Sequence, residues 1–205
     1  MTAHTISLKH RKLLIVGTSL FLISLSVFIW VHLKLRAKVN PSAFPIYSQL
    51  PPFAFTDQDG NPFGLENLKG KIWVADFIFT SCQGPCPTMS SQMSRLQRNL
   101  ADLSNVQFVS FTVNPATDTP EVLRQYATQF HADFRRWHFL TGEQDKIARL
   151  SMDGFLVGSL EDPLMHSTKF ILVDPEGRTR GHYDGTEFAS VQQLARDLRQ
   201  LAAAR

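Results

Sequence analysis

The chain has 205 residues, with 21 Lys+Arg against 18 Asp+Glu and a formal net charge of +3. That length allows one domain or a domain with an appendage, and 43% hydrophobic with 19% charged residues excludes a disordered chain. Two cysteines exclude a disulfide-dense scaffold and a four-cysteine zinc site.

The charge is divided along the chain. Lys9, Arg11, Lys12, Lys34, Arg36 and Lys38 all precede the first acidic residue, Asp57, so the N-terminal part is +6. The rest holds 15 Lys+Arg and 18 Asp+Glu, a net −3. A nucleic-acid role needs clustered positive charge on the folded part, and that part is acidic.

Residues 1–12 form a short N-terminal segment, expected to be cytoplasmic. Leu13 to Val31 is a 19-residue run without charge in which 14 residues are strongly apolar. As a helix it spans about 28 Å at about 1.5 Å per residue, near the thickness of a bilayer core. The run is longer than a signal-peptide core, and no small-x-small cleavage pair follows it, so an uncleaved anchor is expected over 13–31. Basic residues balance on its two sides and leave its orientation open. The short N-terminus lacks an organelle import leader, which favours a bacterial membrane. Residues 32–52, with Pro41, Pro45, Pro51 and Pro52, are expected to be an extended tether, and 53–205 the folded domain.

Within that domain, Phe53 to Phe63 around Asp59-Gly60-Asn61 predicts a hairpin. Ile72 to Phe79 predicts a central strand covered on both faces. Cys86, Met89, Met93, Leu96, Leu100 and Leu103 recur at helical spacing. Val106 to Val113 predicts a second buried strand. Thr119-Pro120 opens a helix with Val122, Leu123, Tyr126 and Phe130 on one stripe. A short helix is expected over Lys146 to Met152. Thr168 to Val173 is a third strand, turned by Asp174-Pro175-Glu176-Gly177 into Arg180 to Tyr183. A closing helix carries Phe188, Val191, Leu194, Leu198 and Leu201. Strands alternating with helices, plus a terminal hairpin, predict an α/β sandwich around a mixed sheet.

Cys82 and Cys86 fall between a buried strand and a helix start. A helix N-terminus stabilises a thiolate, and residues four apart lie about one turn apart, so the sulfurs can approach. Two adjacent thiolates suit Cu(I), a soft metal. A disulfide closing so small a ring would add only about 2 kcal/mol, which argues for redox or metal chemistry over stapling.

The sequence resembles the Sco/SenC family of membrane-anchored, thioredoxin-like copper proteins. The resemblance rests on Phe77-Ile78-Phe79-Thr80-Ser81-Cys82 to Cys86-Pro87, on Asp118-Thr119-Pro120-Glu121-Val122-Leu123, and on His166-Ser167-Thr168 with Phe170 to Gly177. It implies a thioredoxin-like fold with an N-terminal hairpin extension, outside the cytoplasm and held by one transmembrane helix at the bacterial inner membrane. It implies copper held by Cys82, Cys86 and His166, for delivery to the dinuclear copper site of cytochrome c oxidase subunit II. Other copper chaperones or thiol–disulfide reductases are further possible partners. Two positions depart from the family pattern: Gln83 stands where Pro often follows the first cysteine, and Asn114 where many members carry Asp.

Of the other histidines in the domain, His131, His138 and His182 are expected to be structural. Met89 and Met93 lie on the apolar stripe and are expected in the core. Asp76, a carboxylate within an apolar strand, stands where thioredoxins carry a buried Asp that moves the proton of the second thiol; a paired or water-bonded structural carboxylate is the alternative. Two functions stay open: a copper-delivery protein, or a thiol–disulfide reductase in which Cys82 attacks and Cys86 resolves. A third reading, peroxide sensing, would show as a stable sulfenate at Cys82.

Overall fold

Every side chain from Ile72 to Ile78 is buried, as the unbroken apolar run predicts. This strand is the centre of the sheet. The computed structural model describes residues 8–35, 44–158 and 167–204. The chain divides into two compact units, Met1–Val39 and Asn40–Arg205.

The first unit holds one helix, α1 (Leu8–Leu35), which covers the whole apolar run from Leu13 to Val31. Its side chains from residue 17 to residue 30 are exposed. Among the described residues no helix is long and apolar enough to cross a membrane.

The second unit contains β1 (Ser48–Gln49), β2 (Ala54–Asp57), β3 (Pro62–Gly64), α2 (Leu65–Leu68), β4 (Ile72–Ile78), α3 (Pro85–Asn99), β5 (Val106–Thr112) and α4 (Pro120–Gln129). Then follow β6 (Trp137–Thr141), α5 (Gln144–Arg149), a π-helical turn (Leu150–Gly154), β7 (Lys169–Val173), β8 (Arg178–Asp184) and α6 (Phe188–Ala203). The sheet order is β1-β8-β7-β4-β5-β6-β2-β3. The strands β4, β5 and β6 run parallel, and β7 lies antiparallel to β4. Parallel neighbours need crossovers, which α3 and α4 supply.

Alternation in the strands gives the sheet two packed faces. Ile72, Val74 and Ile78 join Met89, Met93, Leu96, Phe108, Phe139 and Leu194 on the face covered by α3, α4 and α6. Trp73, Ala75 and Phe77 join Phe55, Phe111, Leu140, Phe155 and Ile171 on the other. Met89 and Met93 are fully buried.

The hairpin, the strands from Ile72 and Val106, and the helix opened by Thr119 form where the pattern predicts. Thr119 Oγ1 accepts from the Val122 N–H at 3.3 Å, and Pro120 opens the helix. Three features differ. Ser48 and Gln49, inside the stretch expected to be a free tether, pair with Thr179 and Arg178 of β8, and Leu50 is buried. The prolines hid a strand short enough to be held by one neighbour. Trp137–Thr141 is a strand that the pattern did not reveal, because its alternation is broken by His138 and it opens directly after Arg135 and Arg136, with a turn residue, Gly142, only at its far end. The short helix begins at Gln144 and widens into the π-helical turn, whose carbonyls are held from outside: Ser48 Oγ donates to Gly154 O at 2.5 Å, and His182 Nε2 lies 2.9 Å from Phe155 O.

Candidate functional site

Cys82 and Cys86 lie where β4 leaves the sheet and α3 begins. The strand ends at Ile78, Phe79 to Gly84 form the connecting loop, and Gly84 precedes Pro85, the first helical residue. Proline there loses no needed hydrogen bond and presets φ for the helix. Cys86 therefore sits in the first turn. Both cysteines are free thiols. Cys86 is fully buried and Cys82 is 8% exposed, so Cys82 is the reachable one. The Cys82 N–H donates to Phe79 O at 3.2 Å, which curls the loop back over the strand end. The Cys82 thiol is near enough to Cys86 to raise its pKa.

Burial pushes the Cys86 thiol up to about 12; a hydrogen bond from the Phe79 backbone N–H opposes the rise, and the neighbouring Cys82 and Asp76 add to it. The helix end was expected to favour a thiolate, but at Cys86 loss of water outweighs it. A soft cation arriving between the sulfurs would reverse that balance, because a coordinating thiol is deprotonated outright.

Asp76 lies on the same sheet face as the cysteines, on the strand that leads to them. It is fully buried, and neither carboxylate oxygen has a hydrogen bond of good geometry. Ser110 stands opposite it on β5 and lowers its pKa; the Ser110 oxygen accepts from Trp137 Nε1–H at 2.9 Å, which leaves the serine O–H able to donate. Burial dominates and raises Asp76 to about 7. Asp76 has no ion-pair partner among the described residues, and its carboxyl raises the Cys86 thiol.

The cysteine loop is held by a residue that sequence reasoning read only as part of a motif. Asp118, fully buried, accepts from Thr80 N–H at 3.1 Å and Thr80 Oγ1–H at 2.6 Å, and also from the Thr112 hydroxyl. It ties the end of β4 to the end of β5 and the start of α4. Asn114 builds the turn that presents it: its carbonyl accepts from the Asp118 N–H at 3.0 Å, and its amide donates to Thr117 Oγ1 at 2.8 Å. The usable signal was a short polar residue just before a Thr-Pro helix start, facing the ends of two buried strands. Gln83 is exposed in the loop.

His166 lies outside the described residues. The strand that follows it begins at Lys169, and Ile171 pairs with Ala75, so β7 starts at the sheet end that carries the cysteines. Among the described residues no three His, Cys, Asp or Glu side chains gather as a metal cluster. The other histidines serve the fold: His138 stacks on Phe63 with ring centroids 4.3 Å apart, and burial lowers it to about 4. His131 makes the turn after α4 with a φ of 55°.

A sequence profile described as SCO1/SenC matches residues 47–203. A SCO1 protein homolog of Bacillus subtilis is 36% identical over 161 residues, covering 76% of this chain and 83% of that protein. The structure of BsSco is titled for a disulfide switch in a member of the Sco family of cytochrome c oxidase assembly proteins. It matches with a TM-score of 0.69 at 35% identity, covering 78% of this chain and 97% of the other. The crystal structure of yeast Sco1 with copper bound matches with a TM-score of 0.60 at 27% identity, covering 74% and 89%. These neighbours identify the mixed sheet and its helices as the thioredoxin-like Sco fold.

Proposed function

This chain belongs to the SCO1/SenC family, and we propose that it binds copper and delivers it to the dinuclear copper site of cytochrome c oxidase subunit II. The observation that carries the reading is the pair itself: two free thiols, Cys86 fully buried and Cys82 at 8% exposure, side by side at the junction of β4 and α3. Two sulfur donors suit Cu(I), and His166 is the third ligand in this proposal. Copper is cargo here, so a site reachable through Cys82 favours handover by ligand exchange. The copper-bound yeast relative and the oxidase-assembly relative support the metal and the recipient.

The anchor over Leu13–Val31 belongs to the same proposal, with residues 1–12 in the cytoplasm of a bacterial cell and the domain on the outer side of the inner membrane. It rests on the uncharged 19-residue run and on the basic residues at both ends. Resistance of the full chain to alkaline extraction from membranes tests it; release into the supernatant would refute it.

Copper titration of the reduced protein tests the site. The expected result is one copper per chain, lost in Cys82→Ser, Cys86→Ser and His166→Ala. Full copper affinity in His166→Ala would remove the three-ligand site.

A second reading is favoured by Asp76. A buried carboxyl near neutral pKa, with no ion-pair partner among the described residues and close enough to raise the Cys86 thiol, is suited to take the proton of the resolving thiol. In that reading the chain reduces the recipient's copper-site cysteines. Cys82 attacks the substrate disulfide, one substrate sulfur leaves as a thiol, and Cys86 then displaces the other, so the pair is oxidised as the substrate is reduced. Asp76→Asn is expected to slow the Cys86 step and to leave copper affinity unchanged. Exchange kinetics equal to the parent across pH would reject the role.

A further inference from the structure

The stretch of chain that carries His166 follows the π-helical turn and ends where β7 begins. Its entry, Gly154 to Val157, is built against the segment that the sequence suggested was a free tether. Ser48 Oγ–H donates to Gly154 O at 2.5 Å. Ser48 Oγ also lies 2.8 Å from Thr179 Oγ1. The Ser48 proton is used on Gly154, so Thr179 is the donor in that second contact. A chain of hydroxyls therefore runs from β8 through Ser48 to the turn. One residue on, His182 Nε2 lies 2.9 Å from Phe155 O. A carbonyl only accepts, so that ring nitrogen carries a proton. The Tyr47 ring meets the His182 ring edge-on, with centroids 5.2 Å apart. Gly154 is pressed on the same segment: a Cβ there would stand 3.2 Å from both Leu50 Cδ2 and Pro51 Cδ.

Leu156 is the residue that needs this support. Its φ is 59° and its side chain is 54% exposed. A bulky residue in the left-handed region is strained, and it persists only where its surroundings fix it. A side chain in solvent fixes nothing. The two carbonyls before it are fixed instead, by Ser48 and His182. The exit of the stretch is held from β8: the Gly185 N–H donates to Thr168 O at 2.7 Å, and Thr168 Oγ1 to Asp184 Oδ2 at 3.3 Å. We propose that Tyr47, Ser48 and His182 are positioning residues of the copper site, which hold the entry of the His166 stretch and so keep the imidazole at high local concentration beside the two sulfurs. The inference rests on the reading of His166 as third ligand and adds the tether to that ligand's support. With both ends of the stretch fixed, less freedom is lost when His166 joins the metal. Release of one end weakens copper binding while Cys82 and Cys86 stay as they are.

The test uses the reduced full chain in detergent and two measurements: hydrogen exchange without metal, and Cu(I) affinity by competition with a chelator. The Phe155 and Val157 amides, which donate to Leu150 O and Ser151 O at 3.0 Å each, report on the entry. Ser48→Ala and His182→Phe should each speed their exchange about fivefold, the loss of one hydrogen bond. Both variants should weaken Cu(I) binding about tenfold, as loss of an outer support does at a metal site. Ser48→Thr, which keeps the hydroxyl, should restore both readouts. In a His166→Ala chain, Ser48→Ala should cost no further affinity, whereas general loss of structure would cost the same in both backgrounds. Unchanged exchange in both variants, parent-like Cu(I) affinity in both, or an equal loss with and without His166 would overturn the proposal. Full affinity in His166→Ala would overturn the three-ligand reading and the positioning role with it, and the exchange result separates that outcome from a failure of the tether contacts themselves.

Discussion

Thr80 and Asp118, 38 positions apart, are joined by two hydrogen bonds, one from the Thr80 amide at 3.1 Å and one from its hydroxyl at 2.6 Å. Thr80 is two residues before Cys82, so this contact fixes where the cysteine loop leaves the strand. Hydrogen bonds to a charged group contribute about 1.5–3 kcal/mol each, and their loss leaves buried donors unmade. Asp118→Ala is expected to lower stability by about 3 kcal/mol in urea unfolding and to weaken copper binding. Thr80→Val should lose less stability, because it keeps the backbone bond. Parent-like copper affinity in a folded Asp118→Ala chain would show that the loop holds its own shape.

Asp76 gives the domain a pH dependence of unusual sign for a carboxylate. Its folded pKa of about 7 stands above its unfolded value near 3.9. Between those values the folded chain holds a proton that the unfolded chain has released. The stability it allows is complete below about pH 4 and is lost as pH rises through 7. By linkage that loss is at most about 4 kcal/mol. Asp76→Asn keeps the shape without the charge. It should match the parent at pH 4.5 and exceed it by about 2–4 kcal/mol at pH 8, again by linkage. An equal difference at both pH values would contradict it.

The thiols should react in order. Cys86 is fully buried and raised to about 12, so at pH 7.5 it is a protonated, covered thiol. A short iodoacetamide pulse should label Cys82 alone, as read by peptide mass spectrometry, with Cys86 labelled only on unfolding. Equal labelling of both in the folded chain would mean that the loop opens on the timescale of the pulse.

Copper should couple the two thiols' protons to the metal. Binding at pH 7 must displace the Cys86 proton, since only the thiolate is a ligand. Apparent copper affinity is therefore expected to rise about tenfold per pH unit for each proton released. Affinity independent of pH between 6 and 8 would show that Cys86 does not ligate.

The sequence showed the central strands, the cysteine junction and the amphipathic helices because each of these is periodic or bounded by Gly and Pro. Ile72–Ile78 could be read from composition alone. Trp137–Thr141 could not, because one polar ring at His138 interrupts it and its partner strand lies elsewhere in the chain. The importance of Asp76 was legible as a charge in an apolar run, but its lack of an ion-pair partner among the described residues depended on the neighbours that the fold places around it. Asp118 was hidden for the same reason: what it holds, Thr80 and Thr112, is set by three-dimensional proximity rather than by spacing.

Arg180 is nearly buried and donates to Asp174 at 2.5 Å, Phe44 O at 2.7 Å and Pro45 O at 3.2 Å. Removing one side of a buried ion pair costs about 3–5 kcal/mol. Arg180→Met, or a chain cut at residue 53, should each unfold at lower urea than a chain beginning before Phe44. Indistinguishable midpoints for the two cut chains would show that the leader adds nothing.

The position of that clamp has a mechanical meaning. Asp174 follows Val173, which pairs with Trp73 near the start of β4, whereas Cys82 follows the strand's other end. Tension applied through the leader is thus taken up at one edge of the sheet by Arg180 and the short Ser48–Thr179 pairing. The cysteine loop is latched separately by Asp118, at the far end of the central strands β4 and β5. A pull on the tether therefore loads its own short strand first, with β8 and β7 between it and the strand that leads to the sulfurs.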